Sequence, residues 1–300
     1  MQVIRSMNEK SWNWYGNFSR CVKDGSIETD LIKVVSNLNP NIIILFPRSD
    51  GFVKTNEIGC ESTVDETKLN EIKSKIPSGA KYILAGLCTR DFDDDQLILL
   101  PLDDESYVHG VHFSVTSRAF LPPWEERKPI AFWRGGVSGG TYPTIRTRLV
   151  EYMCDYPYSD FKFVPTSESY LRTGPMDMND KRMFDEDRHI NYQVYFKYIL
   201  ILDGACIASA HQWVFASGSV PIMITHPNNN YWFKKYLKPM VHYAPIQYDL
   251  SDLKEKIEWL RDNDKEAKQI SQNAMWFALT ILSPEFQRGY LYEEVVKLIQ

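Results

Sequence analysis

The chain lacks any apolar stretch approaching the ~20 residues of a membrane-spanning helix, and its first residues, MQVIRSMNEKSWNWYG, lack the uninterrupted hydrophobic run of a secretory signal. Those absences point to a cytoplasmic protein without a transmembrane segment. An excess of positive charge is also missing. The 34 basic and 39 acidic residues leave a net charge of −5, which excludes a protein held mainly by neutralising nucleic-acid phosphates. Cysteine is scarce, with five residues (21, 60, 88, 154 and 206) far apart and no CxxC pair, a usage that points to reduced thiols. Of the six histidines only His109 and His112 are neighbours, and no HExxH accompanies them, so no zinc site is expected. The GKS or GKT of a P-loop, the dinucleotide fingerprint GxGxxG and the GxSxG elbow are absent too. The C-terminal KLIQ is not a retention tetrapeptide, and the sequon at Asn17 matters only in a secretory lumen.

What is present is a globular composition of 300 residues, 44% hydrophobic and 13% aromatic, enough for one large or two ordinary domains. Short apolar runs alternate with amphipathic stretches. Residues 41–46, 81–85, 96–100 and 130–133 read as strands in the first half, and 161–164, 198–202, 219–224 and 241–246 in the second. Strand and helix in alternation predict an α/β fold with parallel sheets. From Asp252 onward Leu253, Ile257 and Leu260 follow helical spacing, so the last ~50 residues read as helices, capped by Ser251 or Asp252. The proline-rich, charged stretch 120–129 reads as a connection, dividing residues 1–125 from 126–300, with the last helix a candidate to cross back to the first lobe.

Three segments carry chemistry. In FWRGGVSGGT (132–141) a strand runs into a glycine-rich loop, and Arg146 and Arg148 follow on a helix. Backbone N–H groups and guanidinium groups placed this way can hold a phosphate, and a glycine-rich turn with solvated arginines is the plain alternative. In YILILDG (198–204) a buried strand ends in Asp203-Gly204 and the small residues of ACIASAHQ follow, a place where open α/β sheets bind ligands. Ordinary helix-to-sheet packing, with His211 and Gln212 as satisfied polar residues, is the alternative there. In RDFDDD (90–95) a carboxylate at a strand end can serve as a general base, or Asp91 and Asp93 can pair on a divalent metal, or the run can simply be solvated. The tryptophans at 12, 14, 133, 213 and 232 can stack on sugars or bases, but core packing is the ordinary role.

Taken together, WRGG with RTRL, YFKYILILDG, SGSVPI, WFKKYLKPMVHYAPI and DLSDLKEKIEWL resemble the CAP10-like, protein O-glucosyltransferase family of glycosyltransferases (the lipopolysaccharide-modifying type), from about Lys81 to Ala278. The resemblance implies two Rossmann-like lobes of the GT-B type: an acceptor-side first lobe and a second lobe that binds the nucleotide sugar. It further implies transfer of glucose or xylose from UDP-glucose or UDP-xylose to a glycan acceptor, with inversion and without an obligatory divalent metal or other cofactor. By position, Asp91 corresponds to the family's catalytic base, which leaves Asp93, Asp94 and Asp95 as solvated loop residues. Arg134, Gly135, Gly136, Ser138 and Arg146 correspond to the donor loop, and Gly204, Ala208, Ser209 and His211 to the second donor-binding segment. One departure stands out. The family arginine that contacts the diphosphate falls at Ala210, so His211 or Gln212, or else Arg134, Arg146 and Arg148, must supply that contact.

Overall fold

The structure, a computed structural model, describes residues 2–5, 13–15, 27–39, 41–47, 51–55, 63–101, 107, 115–116, 120–138, 140–165 and 174–300. Its first half contains β1 (Gln2–Arg5), β2 (Asn13–Tyr15), α1 (Ile27–Leu38), β3 (Ile43–Phe46), β4 (Gly51–Val53), α2 (Glu66–Ser74), β5 (Tyr82–Gly86), β6 (Cys88–Arg90) and β7 (Leu97–Leu99). The second half contains β8 (Lys128–Gly135), α3 (Ile145–Met153), β9 (Ser159–Phe163), α4 (Ile190–Gln193), β10 (Phe196–Leu202), α5 (His211–Val214), β11 (Val220–Ile224), β12 (Asn229–Asn230) and β13 (Ala244–Pro245). Three helices close the chain: α6 (Leu253–Asp262), α7 (Asp264–Thr280) and α8 (Pro284–Ile299).

Each of the eight apolar runs in the sequence contains strand residues, although in 241–246 they are reduced to Ala244–Pro245. Two five-stranded sheets result, ordered β2-β1-β3-β5-β7 and β13-β11-β10-β8-β9. The second sheet is parallel throughout, and in the first β3, β5 and β7 run parallel. A strand with parallel neighbours on both sides and helices above and below has no polar face. This is why Tyr198–Leu202 is apolar at five consecutive positions and buried at all of them. These two Rossmann-like lobes are of the GT-B type.

A third sheet, β12-β6-β4, was not foreseen from the sequence. It adds β12 of the second half, antiparallel, to β6 of the first, so the lobes share one hydrogen-bonded ladder. The lobes are joined again at the end of the chain. Ser283 caps α8, with Pro284 at a first-turn position that needs no N–H donor. The helix then packs Leu291 and Val295 into the first-lobe core beside Leu31, Val35 and Ile83. Trp133 and Trp232 are core residues, 5% and 3% exposed. Among the described residues no helix is long and apolar enough to cross a membrane.

Candidate active site

β10 delivers Asp203 to the carboxyl edge of the second sheet, where the carboxylate is 1% exposed. Its Oδ1 accepts the Ala208 N–H at 3.2 Å, closing the 204–208 turn, and its Oδ2 accepts the Asn229 side-chain N–H at 2.6 Å. Burial pushes its pKa up to about 6, against the opposing pull of Asn229, the Ala208 N–H, Arg90 and Arg146.

The glycine-rich loop arrives at the same edge from β8, the neighbouring strand. Behind it, Thr144 and Thr147 form a reciprocal capping box that starts α3 and fixes Arg146 in its first turn. The Arg146 guanidinium donates to three carbonyls: Gly136 (Nη1, 2.7 Å), Leu202 (Nη2, 2.9 Å) and Asp203 (Nε, 3.2 Å). It thereby staples the loop to the end of β10. Burial lowers its pKa to about 10, so it stays charged at neutral pH, and among the described residues no carboxylate is bonded to it. Gly204 sits under this staple. A Cβ there would lie 2.2 Å from Ser138 Oγ and 3.1 Å from Arg146 Nη2. Gly136, Ser138, Arg146 and Gly204, two segments some sixty residues apart in the chain, therefore meet at one point. Ala208 is buried beside them and Ser209 is exposed, while Gly136 faces open space.

Two of the expected donor residues are occupied elsewhere. Arg134 lies at the β8–β9 pairing beside Gly135, with its side chain 2% exposed. Its Nη1 donates to the Trp133 and Asp160 carbonyls, and its Nη2 to the carboxylates of Asp160 and Asp185 at 2.9 Å each. Side chains alternate along a strand, so Arg134 cannot share the face that Trp133 presents to Arg146. It braces β9 and the segment around Asp185, whose carboxyl, despite partial burial, is held at about 2 by Arg188 and Arg134. His211 is 1% exposed among Phe215, Tyr231 and Phe233. Its Nδ1 lies 2.8 Å from the Ala208 carbonyl, its buried Nε2 has no partner among the described residues, and burial lowers its pKa to about 4, so it is neutral. Arg148 is exposed on α3.

Asp91 follows β6 directly, and its φ of 51° is in the left-handed region that a non-glycine residue seldom adopts. Its exposed carboxylate accepts, through Oδ1, the Asn228 side-chain N–H at 2.6 Å. The preceding Arg90 is 2% exposed and donates to Asn229 Oδ1 at 2.6 Å and to the Gly204 carbonyl at 3.4 Å. Asp93 and Asp95 are exposed, but Asp94 departs from the solvated role. Its side chain, 11% exposed, pairs with Lys73 of α2 at 2.5 Å. The cysteine reading also needs correction. Cys88 of β6 and Cys206 of the 204–208 turn are joined in a disulfide, 118 residues apart in sequence and 6.3 Å apart at Cα. Cys154 is free, and Cys21 and Cys60 lie outside the described residues. Among the described residues no three His, Cys, Asp or Glu side chains are grouped to hold a metal ion.

The sequence did not single out Arg90, Asn228 or Asn229. Its one available signal was an arginine closing the otherwise apolar run that precedes Asp91; the Asn-Asn pair reads as a turn.

Comparison with solved structures supports the fold. A glycosyltransferase from Rickettsia africae matches with a TM-score of 0.50 at 13% identity, over 94% of this chain and 85% of that one. In sequence, an uncharacterized protein, 179R, of invertebrate iridescent virus 6 is 33% identical over 208 residues, 60% of this chain and 17% of its own length. Protein O-glucosyltransferase 2 of Danio rerio is 34% identical over 170 residues, 54% of this chain and 30% of its own. The chain thus spans under a third of the length of these relatives. The model of Glycosyl transferase family 90 matches residues 108–299, which include the loop, Arg146, the 204–208 turn and the Asn228-Asn229 pair. With well over half of its length matched in this way, the chain belongs to glycosyl transferase family 90.

Proposed function

We propose that the chain is an inverting transferase that moves glucose or xylose from a UDP-sugar to a glycan acceptor, with Asp91 as general base and no obligatory metal. The observation that carries this reading is the Arg90 contact to the Gly204 carbonyl. It makes the residue next to Asp91 a direct neighbour of the turn assigned to the donor. In the proposed reaction the acceptor hydroxyl gives its proton to Asp91, its oxygen bonds to the anomeric carbon, and the bond from that carbon to the UDP oxygen breaks. The departing diphosphate then carries the negative charge. Arg146 supplies a fixed positive charge, and backbone N–H groups of residues 204–209 and the loop at Gly136–Ser138 supply dipoles, all in place before the reaction. Arg134, Gly135 and His211 serve the donor indirectly, by bracing the loop and the turn.

A binding protein without turnover is the second reading. Ala210 favours it, because His211, buried and neutral, does not replace the charge that the family arginine supplies. The cytoplasmic reading meets a counter-argument in the Cys88–Cys206 disulfide, since such bonds persist in oxidising compartments. The deciding experiment is a panel of UDP-sugars and glycan acceptors, with linkage analysis of any product and chelator in parallel. A β-linked product from an α-linked donor, formed equally with chelator, supports the transferase. Tight UDP binding with no product from any pair supports the binding protein, and activity lost to chelator and restored by Mn²⁺ replaces the base with a metal site.

A further inference from the structure

Asp91 sits on an exposed corner, where a carboxylate rotates through water unless something holds it. Asn228 does so from the other lobe. Its Nδ2–H donates to Asp91 Oδ1 at 2.6 Å, and among the described residues Oδ2 accepts no hydrogen bond. The turn that presents Asn228 is itself pinned. The Asn228 N–H donates to His226 Nδ1 at 3.2 Å, and the Asn229 N–H to the His226 carbonyl at 2.9 Å. The Lys234 ammonium donates to the Pro227 and Asn229 carbonyls on either side. The Asn229 side chain spans Arg90 Nε and Asp203 Oδ2, both buried. Two consecutive asparagines of the second lobe therefore hold two consecutive residues of the first, Arg90 and Asp91. Asn229 is also tied, through Asp203, to the turn at Gly204–Ala208.

We infer that Asn228 is a positioning residue for Asp91: it fixes one carboxylate oxygen so that the other faces the acceptor hydroxyl. The inference rests on the proposed role of Asp91 as base. Orientation of a reacting group is a large part of catalysis. Asn228 makes that orientation depend on the second lobe, so the base is aligned only while the two lobes share the β6–β12 ladder.

The test uses the full chain and follows UDP release from UDP-glucose and UDP-xylose, with UDP affinity measured separately by calorimetry. Asn228→Ala should lower kcat about 10- to 100-fold, the range for losing a hydrogen bond to a charged group, and leave UDP affinity within about twofold. Asn228→Asp, equal in size but repelling Asp91, should lose at least as much, whereas Asn228→Ser, which keeps a donor, should recover part of the loss. Adding Asn228→Ala to Asp91→Asn should cost nothing further. Wild-type kcat in both Asn228→Ala and Asn228→Asp, alongside an inactive Asp91→Asn, overturns the inference and leaves the base intact. An active Asp91→Asn overturns the base itself. A crystal structure serves irrespective of turnover: the Asp91 carboxylate within hydrogen-bond distance of Asn228 supports the inference, and a carboxylate turned elsewhere overturns it.

Discussion

Replacing Gly204 with alanine adds a single methyl group at the point where the two candidate donor segments meet. Its backbone is outside the left-handed region, so the penalty is one of space alone. The new Cβ would lie 2.2 Å from Ser138 Oγ, 3.1 Å from Arg146 Nη2 and 3.3 Å from Arg146 Cζ. Ser138 can turn its hydroxyl away, but Arg146 is held by three carbonyls and cannot retreat without stretching one of those bonds. Overpacking costs about 1–3 kcal/mol, and a weakened charge-assisted hydrogen bond belongs to the upper part of that range. We expect Gly204→Ala to lose about 2–3 kcal/mol in urea unfolding and about tenfold or more in UDP affinity, since tenfold corresponds to ~1.4 kcal/mol. Ser138→Gly removes the worst contact. In that background the same alanine should cost at least ~1 kcal/mol less, a coupling well outside the ~0.5 kcal/mol scatter of independent sites. Additive losses, or unchanged stability in the single variant, would refute the convergence of Gly204, Ser138 and Arg146.

Two buried titrations should oppose each other in acid. Asp203, raised from 3.8 to about 6, makes the folded chain the better proton binder, so its destabilising effect is full above pH 6 and is relieved as pH falls towards 3.8. His211, lowered from 6.5 to about 4, makes the unfolded chain the better binder, so stability is lost as pH falls from 6.5 to 4. At ~1.4 kcal/mol per pKa unit each effect is on the order of 3 kcal/mol, slightly more for His211 than for Asp203. Asp203→Asn should therefore steepen the loss of stability between pH 6 and 4, and His211→Phe should flatten it. Unfolding curves across that range check both, and parallel profiles for all three proteins would contradict them. Peptide mapping under non-reducing conditions should recover Cys88 and Cys206 in one linked species. Cys206→Ser should lower stability by about 2–4 kcal/mol. Free, alkylatable thiols at both positions in freshly prepared protein would remove the bond from the account.

Much of the sheet architecture was legible because strands buried on both faces must be apolar at every position. Runs such as YILIL and VPIMI declare themselves. β6 and β12 were not legible. CTR and NN carry no hydrophobic period, and they become strands only because segments from opposite halves of the chain supply each other's hydrogen bonds. The same distance in sequence concealed the Cys88–Cys206 bond and the asparagines around Asp91, while the ion pair that takes Asp94 out of solvent links α2 to the loop after β6 within the first half. The glycine-rich loop and the small residues after Asp203 stood out in the sequence as two separate candidate segments, and the fold brings them together. What composition could not reveal was the direction of each arginine. Arg146 turns to the meeting point and Arg134 to Asp160 and Asp185, a difference decided by strand alternation and the α3 cap.

The assignment of Asp91 as base is tested most directly by Asp91→Asn, with transfer from the donor that the panel identifies measured beside UDP affinity on the same preparation. If Asp91 is the base, kcat falls by about 10²–10⁴, the usual contribution of general base catalysis, with UDP affinity within about twofold of the wild type. Retention of wild-type kcat in this variant, with UDP still bound, would contradict it.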